Sequence, residues 1–348
     1  MPRPDRHRTF EYRVGFGLLC LTATVIAGLL IWHLFDIILL IFAAILVAIL
    51  LRSLAGLIRR VLPIGRRVSL AMAVLIILGL SAGFFLLLGA QLRTQALDLI
   101  ERAPDLIEPW GDWLGIDDLE AKLRSRAEET VEEASLMKDV AGFSFSFTSI
   151  LGEILLVLVA GVYIAFGSGT YSRGLRSLFP PPARATAGST IAAIGRALRL
   201  WLAGQLVAMI LVGVLTTIGL WLLGVPSVLL LGLIAGVLEF VPFIGPFASA
   251  VPAIAIAAAE DTGLILWVAG LYLLVQQIEG NLITPLVQQQ TVDLPPAVTM
   301  FAIVSFGYLF GLLGVFLATP LAVVCMVLVK KLWLNEALGE ETELPGTS

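Results

Sequence analysis

Apolar runs occur near residues 14–34, 37–51, 68–90, 146–166 and 200–223, each reaching or approaching the length needed to cross a lipid bilayer. A hydrocarbon core of roughly 30 Å takes about 20 helical residues at about 1.5 Å each. No water is present there to satisfy exposed backbone groups, so segments of this kind are confined to helices or closed barrels. The chain is 59% hydrophobic and only 14% charged, with its charges gathered in short blocks, which leaves too little solvated surface for a soluble core. The expected fold is all-α, a polytopic membrane protein of about eight transmembrane segments, five of them these runs.

The first run follows Arg3, Arg6, Arg8 and Arg13, as the apolar core of a signal peptide would. It is longer than such a core, lacks an A-x-A-like cleavage site and is followed almost directly by the second run, so it is expected to be retained as a crossing.

The charge blocks orient the spans. Arg52, Arg59, Arg60, Arg66 and Arg67 lie between the second and third runs, and Arg173, Arg176, Arg184, Arg196 and Arg199 between the fourth and fifth. By the positive-inside rule both loops are cytoplasmic, as is the basic N-terminus, which places the chain in the inner (plasma) membrane with both termini inside. Residues 92–145 are different in kind: acidic side chains from Asp98 to Asp139 outnumber basic ones, as suits a periplasmic segment. Within it Asp117 and Glu120 read as a capping box, followed by Leu119, Leu123, Ala127, Val131 and Ala134 at helical spacing. That pattern fits an amphipathic helix over the pore mouth or a neighbouring subunit, and equally a solvated spacer with one apolar stripe.

The resulting organisation is 1–91 for the N-terminal transmembrane helices, 92–145 for the acidic periplasmic segment, 146–196 for a crossing and its basic loop, 197–331 for a transport unit, and 332–348 for a cytoplasmic tail.

In that unit the hydropathy pattern breaks twice. Ser227–Phe240 is apolar but too short to cross, and it ends at Glu239, Pro242, Phe243, Gly245 and Pro246, where proline removes amide donors and glycine permits unusual backbone angles. A second apolar piece, Phe247–Ala259, follows. After a crossing from Leu264 to about Ile283 the order repeats: Ala297–Tyr308, a break around Gly311 and Gly314, then Val315–Val329 with Pro320 inside it. One crossing and one re-entrant hairpin, repeated in opposite orientation, would be an inverted-topology repeat, the pattern that points to a carrier's binding site. Kinks in two ordinary tilted crossings would give the same terminal orientation.

Polar residues in this apolar half are candidates for function. Glu239 is an intramembrane carboxylate at a helix break, suited to carrying a proton or to capping free amides. Gln276, Gln277, Glu279 and Asn281 gather near the end of a crossing, Gln277 and Asn281 four apart on one face, where they would line a polar path or bond neighbouring helices. Glu153 is a third such carboxylate, with no break beside it. The two histidines, His7 and His33, and the two cysteines, Cys20 and Cys325, form no metal-binding or nucleophilic constellation, so neither enzyme activity nor a cofactor is expected.

LEFVPFIGPFASAVPAIAIA, QQIEGNLITPLV and DLPPAVTMFAIVSFGYLFGLLGVFLATPLAVV, in that order and spacing, resemble the signature stretches of the AI-2 exporter (AI-2E) family of permeases. The resemblance is close over residues 228–325 and otherwise one of layout. It implies a multi-spanning permease in the lipid bilayer, forming homo-oligomers, reportedly pentamers. Some members are described as exporters of the signal AI-2 and others as sodium/proton antiporters. The family's Pro-Phe/Tyr-x-Gly element maps onto Pro242, Phe243 and Gly245, and its acidic-Asn-Pro element onto Glu279, Asn281 and Pro285. Many members have lysine after that proline, where this chain has Leu286. The partners so implied are a small-molecule solute, H+ or Na+, and further copies of the chain, with no nucleic acid.

Overall fold

A computed structural model describes residues 6–86, 135–283 and 294–340, and the described residues are helical with no strand. The elements are α1 (Arg6–Val61), α2 (Arg66–Leu86), α3 (Ser135–Ser177), α4 (Arg184–Leu222), α5 (Val228–Leu238), α6 (Ile244–Glu260), α7 (Leu264–Ile278) and α8 (Pro296–Leu328). A π-helical turn, Glu279–Ile283, extends α7, and a second, Val329–Ala337, extends α8. Leu34–Val61, Arg66–Leu86, Gly152–Ser177, Pro181–Leu222 and Pro296–Ala337 are long and apolar enough to cross a membrane. Most of the acidic segment, including the capping box at Asp117, lies outside the described residues, as do Pro285 and Leu286.

The first two apolar runs are not separate helices. α1 continues unbroken through 56 residues, about 84 Å of helix. Between Trp32 and Ile37 stand His33, Leu34, Phe35 and Asp36, with no glycine or proline to turn the chain, and two polar residues do not interrupt a helix.

Both interrupted segments fold back on themselves. Leu231 of α5 shares a buried cluster with Ala253 and Ala257 of α6, residues about equally far from the Pro242 break, so the arms are antiparallel. In α8 the backbone leaves the helix at Gly311, with φ 60° and ψ −145°, a conformation essentially restricted to glycine. Ile303 and Ala318, on either side of that break, share one cluster, and a Cβ on Gly307 would stand 2.8 Å from Val315 Cγ2, so α8 is likewise a helical hairpin.

The leading helices of the two units also run antiparallel: Val212 clusters with Val275, and Leu220 with Val268. The hairpins lie against opposite ends of α4. Leu220 packs with the α5–α6 hairpin near its open end, whereas Ala193, Ala197 and Leu198 pack with Leu294, Val323 and Val327 at the open end of α8. This is the geometry of an inverted repeat.

Packing between α4 and α5 is backbone-close. A Cβ on Gly236 would stand 2.7 Å from the Met209 carbonyl oxygen, one on Gly213 3.0 Å from that of Gly232, and one on Gly232 would collide with Thr217 Oγ1. Small residues allow such approach where the hydrophobic effect supplies no drive between helices.

Candidate functional site

The backbone is irregular at the α5–α6 tip. α5 stops at Glu239, because Pro242 follows three residues later and has no amide to continue the ladder. Phe243 takes φ 67° and ψ −47°, and the Ile244 amide donates to the Pro242 carbonyl oxygen at 2.8 Å, which makes a strained γ-turn. α6 then starts at Ile244, so Gly245 and Pro246 fall in its first turn, where a missing amide is not costly. Gly245 is buried against the end of α5: a Cβ there would collide with the Leu238 carbonyl oxygen. Gly314 meets the Phe306 carbonyl oxygen in the same way, so the two hairpins solve the same crowding with the same residue.

The Glu239 side chain is 2% exposed and its Oε2 has no hydrogen-bond partner among the described residues. It borders a cavity of about 10 Å³, close to the size of one water molecule. Five elements enclose it, with Thr216 from α4, Ala235 from α5, Ser249 and Pro246 from α6, Tyr272 and Gln276 from α7, and Glu279 at the start of the π turn. Thr216 Oγ1 is also buried without a partner. The other polar groups are committed: Tyr272 Oη donates to the Ser249 carbonyl oxygen at 3.1 Å, Ser249 Oγ to the Pro246 carbonyl oxygen at 3.0 Å, and Gln276 Nε2 to Glu279 Oε2 at 2.6 Å. Among the described residues, no lysine, arginine or histidine lines the cavity. The Glu239 carboxyl group and the Thr216 hydroxyl thus face a space of about one water molecule, with the Glu279 carboxyl group beside it, and burying a carboxylate oxygen without a partner is costly unless a proton or cation accompanies it.

Gln205 holds the tip from outside. Its Nε2 donates to the Glu239 carbonyl oxygen at 2.6 Å, satisfying a helix-end acceptor that proline at 242 has left open. Around it Trp201 meets Phe240 edge-on at 5.6 Å, Phe240 stacks on Phe316 at 6.3 Å, and Val241 packs with Ile303 and Ala318. The first tip therefore rests on the flank of the second hairpin.

Glu239, Pro246 and Glu279 come together at the cavity, with Pro242, Phe243 and Gly245 shaping the tip beside it. Gln277 and Asn281 do not join them. They bond each other on an exposed face, Asn281 Nδ2 reaching Gln277 Oε1 at 3.1 Å. Gly311 and Gly314 shape the second tip, and Pro320 is fully buried in the following arm. Glu153 is exposed on α3 and takes no part. Gln205, Thr216, Ser249 and Tyr272 were not singled out by the sequence; their one signal is a polar group inside an apolar helix, and only folding shows which of these point at Glu239. Among the described residues, no group of three or more His, Cys, Asp or Glu is placed to hold a metal ion.

Residues 19–333 match the family described as AI-2E family transporter. YueF of Bacillus subtilis, which carries the name of a transport protein, is 25% identical over 288 residues, 78% of this chain and 77% of that protein. YrrI of the same organism, similarly named, is 36% identical over 129 residues, 37% of this chain and 36% of that protein. PerM of Escherichia coli, named as a permease, is 28% identical over 163 residues, 46% of each chain. The matches to YrrI and PerM thus span well under two thirds of those proteins. A family match over nearly the whole length, on a chain of membrane-spanning helices, means that this chain belongs to the AI-2E family of membrane transporters.

Proposed function

We propose that the chain is a secondary carrier that exports a small polar organic solute, driven by a proton or Na+ taken up at Glu239. The observation that carries this reading is the buried carboxyl oxygen of Glu239, unpartnered at the tip of a broken helix beside a second carboxyl group. In the cycle so read, the hairpin-bearing unit, with Gly311 and Gly314 at its second tip, moves against α1–α3. Ion uptake at Glu239 removes the cost of its buried charge and so biases the position of the first tip. The family description supports a transported solute, and the exposed amides of Gln277 and Asn281 suit a polar route to it.

A second reading, a monovalent cation (Na+)/proton antiporter, is favoured by the size of the cavity, which at about 10 Å³ admits an ion and no organic solute in this conformation. Proton flux in proteoliposomes, with and without an imposed sodium gradient, separates the two. Sodium-driven proton movement without any added solute, lost in Glu239→Gln or Glu279→Gln, would establish the antiporter. Proton movement only in the presence of an exported solute would establish the coupled exporter. Flux of solute unchanged by Glu239→Gln would remove Glu239 from the coupling step.

A further inference from the structure

We propose that Arg52, Arg66 and Arg199 form a binding site for the phosphate headgroup of an anionic phospholipid, with an acyl chain lying along α1. Three helices bring these side chains to one end of the bundle. Leu51 and Ala55, on either side of Arg52, pack against Leu70 and Ala73 in the first turns of α2, which begins at Arg66. Leu198, next to Arg199, packs in the cluster that also holds Leu39 and Leu46 of α1. Arg66 and Arg199 are the charges that Arg52 feels most strongly.

The like charges are not offset locally. Neither 52–67 nor 167–199, which together carry ten arginines, contains a single aspartate or glutamate. Some of the ten serve the protein itself: Arg173 Nε donates to the Gly169 carbonyl oxygen at 3.1 Å, Arg184 Nε to that of Phe179 at 3.1 Å, and Arg176 lies over Gly188. Arg52, Arg66 and Arg199 are exposed as these are, and are set apart by acting electrostatically on one another. Cationic groups converging without carboxylates bind a partner that supplies negative charge, and arginine matches phosphate oxygens in pairs.

What lies beneath Arg52 identifies that partner as a lipid. Ile45, Ile41 and Ile38 stand seven, eleven and fourteen residues before it, which at 100° per residue keeps all three within about 40° of its direction on the helix. They are 37%, 52% and 52% exposed and make an apolar stripe, which the buried Ala48 separates from Arg52. The stripe reaches Ile41 about 16 Å from Arg52, against about 15 Å for one leaflet of the hydrocarbon core. It runs inward, because Phe35 meets Phe310 at the tip of the α8 hairpin, far from that hairpin's open end. Free phosphate would use the arginines and ignore the stripe. A phospholipid uses both, and basic pockets between helices at the cytoplasmic face suit anionic headgroups.

Native mass spectrometry of the detergent-released protein, titrated with phosphatidylglycerol or phosphatidylcholine of matched chains, tests this. The unaltered protein is expected to prefer phosphatidylglycerol. Arg52→Gln should reduce that preference on the order of fivefold, and Arg66→Gln and Arg199→Gln similarly, with phosphatidylcholine binding unchanged as the check on folding. Arg173→Gln, at an arginine bonded to its own helix, should leave the preference intact. Ile41→Ser with Ile45→Ser should weaken phosphatidylglycerol while leaving soluble glycerol phosphate unaffected. Equal binding of the two lipids by the unaltered protein would overturn the proposal, as would full retention of the preference in Arg52→Gln. Glycerol phosphate binding as tightly as the lipid would show a site for free phosphate instead.

Discussion

Gly245→Ala puts the hairpin geometry under direct test. The added methyl would collide with the Leu238 carbonyl oxygen, lie 2.5 Å from the Leu238 carbonyl carbon and 3.0 Å from the Glu239 amide nitrogen. All three atoms are backbone, so no side chain can rotate away. The backbone is also pinned, since the Glu239 amide donates to Ala235 O at 3.0 Å and the Gly245 amide to Val241 O at 2.9 Å. Relief requires the arms to part at the tip. Overpacking costs about 1–3 kcal/mol, and with only backbone to yield the upper end applies. Alanine recovers up to about 1 kcal/mol of helix propensity, leaving a net loss of about 2 kcal/mol. Gly270→Ala is the matched control: it lies within α7 with nothing inside 4 Å of the added carbon, so it should gain up to about 1 kcal/mol. The same chemical change thus has opposite signs at two sites. Thermal unfolding of the purified protein in nanodiscs reads the difference. If Gly245→Ala melts at or above the temperature of Gly270→Ala, the antiparallel packing of α5 and α6 is refuted.

Gly311→Ala should cost about 1–3 kcal/mol, because φ 60° with ψ −145° excludes a Cβ, and cross-linking of paired cysteines placed at Ile303 and Ala318 should fall with it. Gln205→Leu removes the donor to the Glu239 carbonyl oxygen and should destabilise by about 1–3 kcal/mol in the same melting assay. Thr216→Val keeps the shape and removes a hydroxyl with no partner among the described residues, so stability should stay within about 0.5 kcal/mol; a change in proton flux would place that hydroxyl in ion handling, and a large loss of stability would show a structural bond instead.

Much of this architecture is written in local chemistry. Pro242 and Gly245 announce the first break and Gly311 the second, since proline has no amide to continue a helix and glycine admits the close approach at 245 and the positive φ at 311 that other residues resist. Whether a broken segment kinks or returns is a long-range matter, decided by contacts such as Leu231 with Ala253, and hydropathy is blind to it. The boundary between the first two runs was misleading for a related reason: His33 and Asp36 lower local hydropathy without altering helical backbone preference, so α1 continues. Glu239 stands out in sequence because a carboxyl group is rare in so apolar a stretch. The division of α7 is less legible. Gln276 and Gln277 are adjacent, yet about 100° of helix rotation sends one to the cavity and the other to the exposed face.

Phe240 sits one residue past the cavity carboxyl group and touches an element of each kind, with Trp201 on α4 to one side and Phe316 on the second hairpin to the other. Any motion that withdraws the first tip, and so uncovers Glu239 from one side, also strips Phe316 of its stacked neighbour. Conversely, a shift of the second hairpin removes part of the surface on which the first tip is seated. The two halves of the unit are therefore not independent doors: a single aromatic ring makes the resting energy of each depend on the position of the other.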